Sequence, residues 1–209
     1  MIVKYLGREP YLEAQAAMQE FVENASNTTK SEVWFVEHPQ VYTQGVSCDL
    51  TTFESSDIPI VKSDRGGQIT YHGPGQVVMY LLLNIKQLGL GVKQLVTILE
   101  DVMINVLANY SIVAERISGA PGVYVEGAKI GALGLRFRNG FSYHGLSLNI
   151  DMDLHPFDNI DPCGYQDMAV TQVKDLLLNN PVFEQRLPAI KQIQDALLNE
   201  LQHQLSASL

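Results

Sequence analysis

The sequence predicts an α/β protein of the α+β kind, a mixed sheet with packed helices, in a single domain over residues 1–209. Three observations lead there. Apolar residues make up 46% of the chain and charged ones 18%, the balance of a chain that folds around a core, and this length is enough to bury one fully. Strand patterns come in hairpin runs with helical patterns between the blocks, not in the strict alternation of a doubly wound parallel fold. One stretch, VVMYLLL at 77–83, is continuously apolar, as expected of a strand covered on both faces.

The elements follow in order. MIVKYL opens as a strand. Pro10 suits a helix start, and Leu12, Met18, Phe21 and Val22 form a modest helical stripe reaching about Asn24. EVWFVEH and VYTQG read as strands separated by Pro39, residues 46–58 as irregular, and IPIVKS as a further strand. Residues 65–85 read as two strands joined at Gly73-Pro74-Gly75. The clearest helix spans 92–110, where Val92, Leu95, Val96, Leu99, Val102, Met103, Val106 and Leu107 recur at threes and fours and predict packing on a sheet. GVYVEG, KIGALGLRFRNG and FSYHGLSLNID then make a meander with turns at Gly127 and Asn139-Gly140. A polar loop around Cys163 follows. After Pro188 a closing helix places Ile190, Ile193, Leu197, Leu198 and Leu201 on one face.

Composition excludes several functions. A net charge of −9 argues against nucleic acid or an anionic membrane as the main partner. No run of ~18 apolar residues predicts a membrane span, and MIVKYLGREP lacks the apolar core of a signal peptide. Two cysteines, Cys48 and Cys163, make no disulfide framework, and no Cys/His spacing suggests zinc, so neither a metal nor an oxidising compartment is expected. A cytoplasmic setting, where a thiol stays free, fits best.

Three stretches carry chemistry. RGGQITYHGPGQ mixes Arg65, Gln68, Tyr71, His72 and Gln76 with four glycines, which suits either a tight hairpin or a ligand-binding segment. It has neither nucleotide-loop pattern, GxGxxG nor GxxxxGK[ST]. Lys129, in GAKIGALGLRF, sits among small and apolar neighbours, where its charge would act strongly on a nearby thiol. Gly131 and Gly134 flank Ala132-Leu133, as if leaving room beside the strand. Cys163, between Pro162 and Gly164, is held off the core by chain-bending residues, but Asp161 and Asp167 disfavour its thiolate. An activating group must therefore come from elsewhere; Lys129, His72 and His144 are the candidates. Cys48 reads as packing or incidental. His144 alternates with core-facing residues and is either a satisfied half-buried histidine or a site-lining one. His38, His155 and His203 read as structural, loop or solvated.

RGGQITYHGPGQ, AKIGALGLRFRNGFSYHGLSLNI and DPCGYQDMAVT, in that order and spacing, resemble the lipoyl(octanoyl) transferases, the lipoate biosynthesis protein B family, over most of the chain up to about residue 175. The resemblance implies the fold of the biotin and lipoate protein ligase catalytic domains. It implies transfer of octanoyl, or lipoyl, from acyl carrier protein to the ε-amine of a lysine on a lipoyl domain, through a cysteine thioester, as the first step of endogenous protein lipoylation. The acceptors would be the lipoyl domains of 2-oxoacid dehydrogenase complexes and the glycine cleavage H protein. Residue by residue, Cys163 matches the nucleophile and Lys129 the lysine that lowers its pKa. Arg65, Gly66, Gly67, Gln68, Ile69, Thr70, Tyr71 and His72 match one substrate-pocket segment. Ala132, Leu133, Gly134 and Gly145, Leu146, Ser147 match the other two. The chain departs from the family pattern at Ser147, where alanine is usual, and at Gln172, where serine is usual.

A thioester donor is already activated, so the implied reaction uses neither ATP nor a metal; phosphopantetheine arrives on the carrier protein. The carrier is acidic as a class, and Arg136 and Arg138, at alternate positions of one strand, are candidates for docking it. Oxyanion donors are expected from backbone N–H groups after Lys129 or around Gly164. Competing readings are an ATP-dependent lipoate or biotin ligase on the same fold, a non-catalytic acyl-binding protein and a cysteine thioester hydrolase.

Overall fold

A computed structural model describes residues 1–48, 57–160, 169–178 and 187–207. The predictions for Cys163, Gly164 and the middle of the 46–58 stretch lie outside these residues.

Among them are ten strands and five α-helices: β1 (Ile2–Arg8), α1 (Tyr11–Asn24), β2 (Glu32–Glu37), β3 (Val41–Gln44), β4 (Ile60–Lys62), β5 (Ile69–His72), β6 (Gln76–Leu82), α2 (Ile85–Leu88), α3 (Val92–Ala108), β7 (Glu115–Ile117), β8 (Ala120–Val125), β9 (Ala128–Arg138), β10 (Phe141–Asn149), α4 (Val173–Leu178) and α5 (Ile190–Ala207). A seven-stranded sheet runs β1-β2-β6-β10-β9-β8-β7, and a three-stranded sheet runs β4-β3-β5. β1 pairs parallel with β2 and β3 parallel with β4; the remaining neighbours are antiparallel. The sheet is therefore mixed, as the hairpin-rich pattern predicts.

β6 and β10 lie in the middle of the large sheet, and every residue of both is buried. Side chains alternate across the sheet, so the two faces fill two cores. Val77, Met79, Leu81, Leu146 and Leu148 meet α3 and α5 through Leu95, Leu99, Val102, Met103, Val106, Ile193, Leu197 and Leu201. Val78, Tyr80, Leu82, Phe141 and Tyr143 meet α1 through Ala14, Met18 and Val22. This two-sided cover is why a run of apolar residues, and not an alternating one, encodes β6. The β8–β9 and β9–β10 connections each place two residues at positive φ, Glu126/Gly127 (50° and 81°) and Asn139/Gly140 (52° and 83°), the tight hairpin turns expected there.

One sequence expectation needs refining. β5 and β6 are indeed joined at Gly73-Pro74-Gly75, but they do not pair with each other: β5 joins β3 in the small sheet and β6 joins β2 and β10 in the large one. The chain turns a corner there. Gly75 has φ 86°, donates its N–H to Glu37 Oε2 (2.9 Å) and accepts at its carbonyl from Ile150 (3.2 Å) and Asp151 (3.0 Å). A Cβ at Gly75 would fall 1.7 Å from the Asp151 carbonyl oxygen.

Gly75→Ala is therefore expected to cost about 3 kcal/mol or more in urea unfolding, combining backbone strain with displaced hydrogen bonds. Gly7→Ala, equally left-handed at φ 72° but with nothing within 4 Å of the new Cβ, should cost only about 1 kcal/mol. Equal losses would mean that the corner contact is not what fixes Gly75.

Candidate active site

The two sheets face each other across a cavity of about 780 Å³, counting the space open to solvent at its mouth. From the large sheet it receives Gln76, Val78 and Tyr80 of β6, Lys129 and Gly131 to Gly134 of β9, and His144 to Ser147 and Asn149 of β10. From the other side come Tyr11, Arg65, Gly67 to Thr70 and His72, with Phe157 and Val170 closing one end. Register places Gly145 beside Gly134 and Ser147 beside Ala132, so the cavity floor is built from small residues.

Most of the predicted pocket residues thus come together. Gly66 and Tyr71 are the exceptions. Gly66 is tied by its N–H to the Leu135 carbonyl (3.0 Å), linking the segment to β9. Tyr71 packs in a third core with Tyr42, Met152 and the cavity-lining Ile69 and Phe157. The room that Gly131 and Gly134 leave is taken by protein: a Cβ at Gly131 would meet Met103 Sδ at 2.6 Å, and one at Gly134 would meet Arg65 Cδ at 2.9 Å. Arg65, 7% exposed, donates to the Thr43 hydroxyl and carbonyl (2.8 and 2.6 Å) and to the Gly66 carbonyl (3.0 Å), which fixes the glycine-rich segment over the cavity.

Lys129 does not point to water. It is 5% exposed, with Nζ donating to the Pro121 carbonyl (3.1 Å) and lying 5.4 Å from the centre of the Tyr124 ring. Pairing of β8 and β9 shifts register between Val123/Gly131 and Tyr124/Lys129, leaving Ile130 as an extra residue, a bulge of the kind that re-aims a side chain. The Lys129 backbone is tied in turn to the segment after the cysteine loop: its N–H donates to the Ala169 carbonyl (2.8 Å) and its carbonyl accepts from Thr171 (2.9 Å). On the other side of that loop, Ile160 packs with Phe157, a cavity-lining residue.

Sequence reading missed an aromatic and imidazole cluster at one end of the cavity. The Tyr11 ring stacks between His72 and His144, with centroids 5.8 and 6.5 Å away and planes tilted by 10° and 11°. His38 stands edge-on to Tyr11, donating to the Glu9 carbonyl (2.7 Å) and accepting from the Tyr80 hydroxyl (2.7 Å). The Gln76 amide nitrogen faces the Asn149 oxygen (2.9 Å), so its oxygen accepts from His72 Nδ1 (2.7 Å), which puts the His72 proton on that nitrogen. His72 and His144 carried signals, one in the glycine-rich segment and the other in its alternation with core positions; His38 was read as structural or solvated, and it is fully buried.

His144 is at φ 59° inside a strand, a left-handed conformation that swings its ring onto that of Tyr143 (5.0 Å). Asp64 accepts from His144 Nε2 (2.7 Å) and from the Tyr143 hydroxyl (2.5 Å), leaving His144 Nδ1 buried with no hydrogen-bond partner. Burial alone would raise the Asp64 carboxyl, but these bonds, with a third from Gln19, hold it well below the usual carboxylate range. Burial pushes His38 and His144 down, the latter partly opposed by Asp64. It also pushes His72 down to about 3, helped by neighbouring His38 and Arg65 and opposed by Gln76. Desolvation makes these imidazoles neutral, so the cluster is an uncharged wall for the cavity.

The remaining sequence candidates lie elsewhere. Arg136 and Arg138 are exposed on β9, and Arg138 is paired with Glu23 (2.8 Å). Cys48 packs at the edge of the third core, beside Tyr42 and Tyr71. His155 and His203 face solvent. Among the described residues, no group of three or more His, Cys, Asp or Glu is placed to hold a metal ion, and no helix is long and apolar enough to cross a membrane.

With this arrangement the fold is that of the lipoate and biotin protein ligase catalytic domains. A bi-partite lipoate protein ligase of Thermoplasma acidophilum superposes with a TM-score of 0.73 at 13% identity, covering 98% of this chain and 83% of that one. Biotin protein ligase of Aquifex aeolicus gives 0.64 at 12%, covering 98% and 70%. The profile described as "Lipoyl protein ligase A/B catalytic domain" matches residues 10–202. The octanoyltransferase of Chromobacterium violaceum is 49% identical over 208 residues, 99% of this chain and 97% of its own length. The chain belongs to this ligase A/B catalytic-domain family, in its octanoyltransferase branch, and is an acyltransferase.

The neutral cluster has a consequence for stability. His72 is held near 3 when folded and titrates near 6.5 when unfolded, so below pH 6.5 the unfolded chain binds the extra proton. Its share of stability is complete above 6.5 and is lost as pH falls toward 3. His72→Gln is expected to flatten the unfolding free energy between pH 6 and 4 by about 1 kcal/mol per pH unit, read by urea denaturation at each pH. An unchanged slope would mean that His72 is not kept neutral.

Proposed function

We propose that the protein moves an octanoyl group from the phosphopantetheine thioester of acyl carrier protein to the ε-amine of a lysine on lipoyl domains, through a thioester on Cys163. The observation that carries this reading is the backbone pairing of Lys129 with Ala169 and Thr171, which ties the buried lysine to one end of the Cys163 loop. The other end begins at Ile160, three residues from Cys163 and so at most about 11 Å of extended chain away, beside the cavity wall. The name of the relatives, octanoyltransferase, supplies the acyl group; the cavity, narrow and floored by small residues, suits it.

The chemistry follows from these groups. The Lys129 ammonium favours the Cys163 thiolate, which attacks the donor carbonyl. As the tetrahedral intermediate collapses, the pantetheine sulfur leaves and takes a proton from Lys129. The neutral acceptor amine then attacks the Cys163 thioester, an amide bond forms, the C–S bond breaks, and Lys129 takes up the amine's proton. Lysine ends as it began. An activated thioester makes ATP and a metal unnecessary, and the cytoplasm is the compartment where donor and thiol both persist. Lipoyl domains of the 2-oxoacid dehydrogenase complexes and the glycine cleavage H protein are the acceptors. Arg136 is the stronger of the two candidates for docking the acidic carrier, since Arg138 is already paired with Glu23. The Ser147 hydroxyl, in the floor beside Ala132, bears on chain-length preference.

Incubation with octanoyl-acyl carrier protein should add one octanoyl group, seen by mass spectrometry and removed by hydroxylamine. Cys163→Ala should abolish it, and Lys129→Ala should slow it 100-fold or so, the scale of one proton-transfer group. An adduct on Cys48, or none, would sink the mechanism. Adding a lipoyl domain should move the octanoyl to a lysine amide; release as free octanoate instead would identify a hydrolase.

A further inference from the structure

A buried carboxylate outside the cavity reaches Lys129 through a single peptide group. Glu100, in the middle of α3, is 7% exposed. Its Oε2 is held by Arg116 Nε (2.9 Å), whose guanidinium also pairs with Asp101 and donates to the Thr97 carbonyl (3.1 Å). Its Oε1 accepts the N–H of Gly122 at 3.0 Å. That N–H belongs to the same peptide unit as the Pro121 carbonyl, the acceptor of Lys129 Nζ at 3.1 Å. The N–H and C=O of a trans peptide point in opposite directions, so this unit stands between the carboxylate on one side and the ammonium on the other.

Gly122 is suited to this place by the absence of a side chain. Its φ is 135°, and a Cβ would lie 2.6 Å from Lys129 Cε and 3.2 Å from Nζ. Both partners are charged groups, so the two hydrogen bonds are stronger than those between neutral peptide groups and polarise the amide in the same sense. A helix residue thereby sets the orientation of a strand peptide, and the peptide sets the position of the lysine head group.

We infer that Glu100 is the positioning residue for Lys129, holding the Pro121–Gly122 peptide so that the ammonium is presented to the acyl-transfer site. This rests on the activating role given to Lys129 above. Glu100 touches neither substrate nor thiol; it acts through Gly122.

The experiment is the pH dependence of Cys163 alkylation by iodoacetamide, followed on the Cys163 peptide by mass spectrometry so that Cys48 does not contribute. Lys129→Ala should raise the pH midpoint by about one unit or more, the usual effect of removing an adjacent cation. Glu100→Ala should raise it in the same direction, and the double variant should match Lys129→Ala alone, because the two residues act as one unit. Glu100→Gln also breaks the ion pair with Arg116 but keeps an oxygen for Gly122, so its midpoint should stay with the wild type. If Lys129→Ala moves the midpoint and Glu100→Ala moves it no more than Glu100→Gln, the positioning role is wrong and the activation stands. If Lys129→Ala itself leaves the midpoint unchanged, the activation is wrong and the positioning role goes with it. Should Glu100→Ala fail to fold by circular dichroism, Glu100→Asp takes its place, withdrawing the carboxylate from the Gly122 N–H by one methylene: a raised midpoint that vanishes in the Lys129→Ala background supports the inference, and an unmoved one overturns it.

Discussion

The carbonyl of Gly75 accepts from both Ile150 and Asp151, and its bare α-carbon sits against the Asp151 backbone. This contact lets two consecutive strands part. β5 leaves for the small sheet, β6 enters the middle of the large one, and the space between them becomes the cavity. Had the two strands paired with each other, His72 and Gln76 would have been neighbours on one ribbon with no slot to line. Instead, Gln76 links His72 on the small sheet to Asn149 on β10, crossing the gap with hydrogen bonds. Asn149 continues to the carbonyl of Thr171, whose own N–H pairs with Lys129.

Around that slot the charges are sorted by position. Histidines at one end are kept neutral by burial, and Asp64 is kept ionised by the hydrogen bonds it receives. Lys129 stands at the opposite side on β9, aimed by a bulge and anchored to a peptide that α3 holds from behind. Two buried cations, Arg65 and Lys129, line the same cavity as these neutral imidazoles. The helix therefore does more than cover the sheet: α3 holds the Pro121–Gly122 peptide through Glu100 while its apolar stripe fills the main core.

Much of this was legible in the sequence, and the rest was not for physical reasons. Periodicity found α1, α3 and α5, the continuous apolar run found the two-sided strand, and Asn139-Gly140 found a hairpin, because each is a local pattern. The 65–85 stretch read equally as a hairpin because nothing local separates two strands that pair from two that part; the partner residues at 150–151 lie far along the chain. The pocket segments were found by resemblance to a family, and the structure brings most of their residues to one cavity. Tyr71 falls outside it because its ring is taken up by the third core, against Tyr42 and Phe157. The Tyr11 stack, the Asp64 clamp and the Glu100 contact depend on partners 22 to 133 residues apart and left no local trace.

The proposed function requires one acyl site between the two sheets, with its reacting end at Lys129. The most direct measurement is a crystal structure of the octanoylated enzyme. It should show a thioester on Cys163, its carbonyl within hydrogen-bonding range of Lys129 and the chain running over Ala132, Gly145 and Ser147 toward the histidine cluster. An octanoyl chain lying outside that site, or a thioester remote from Lys129, would contradict the proposed function.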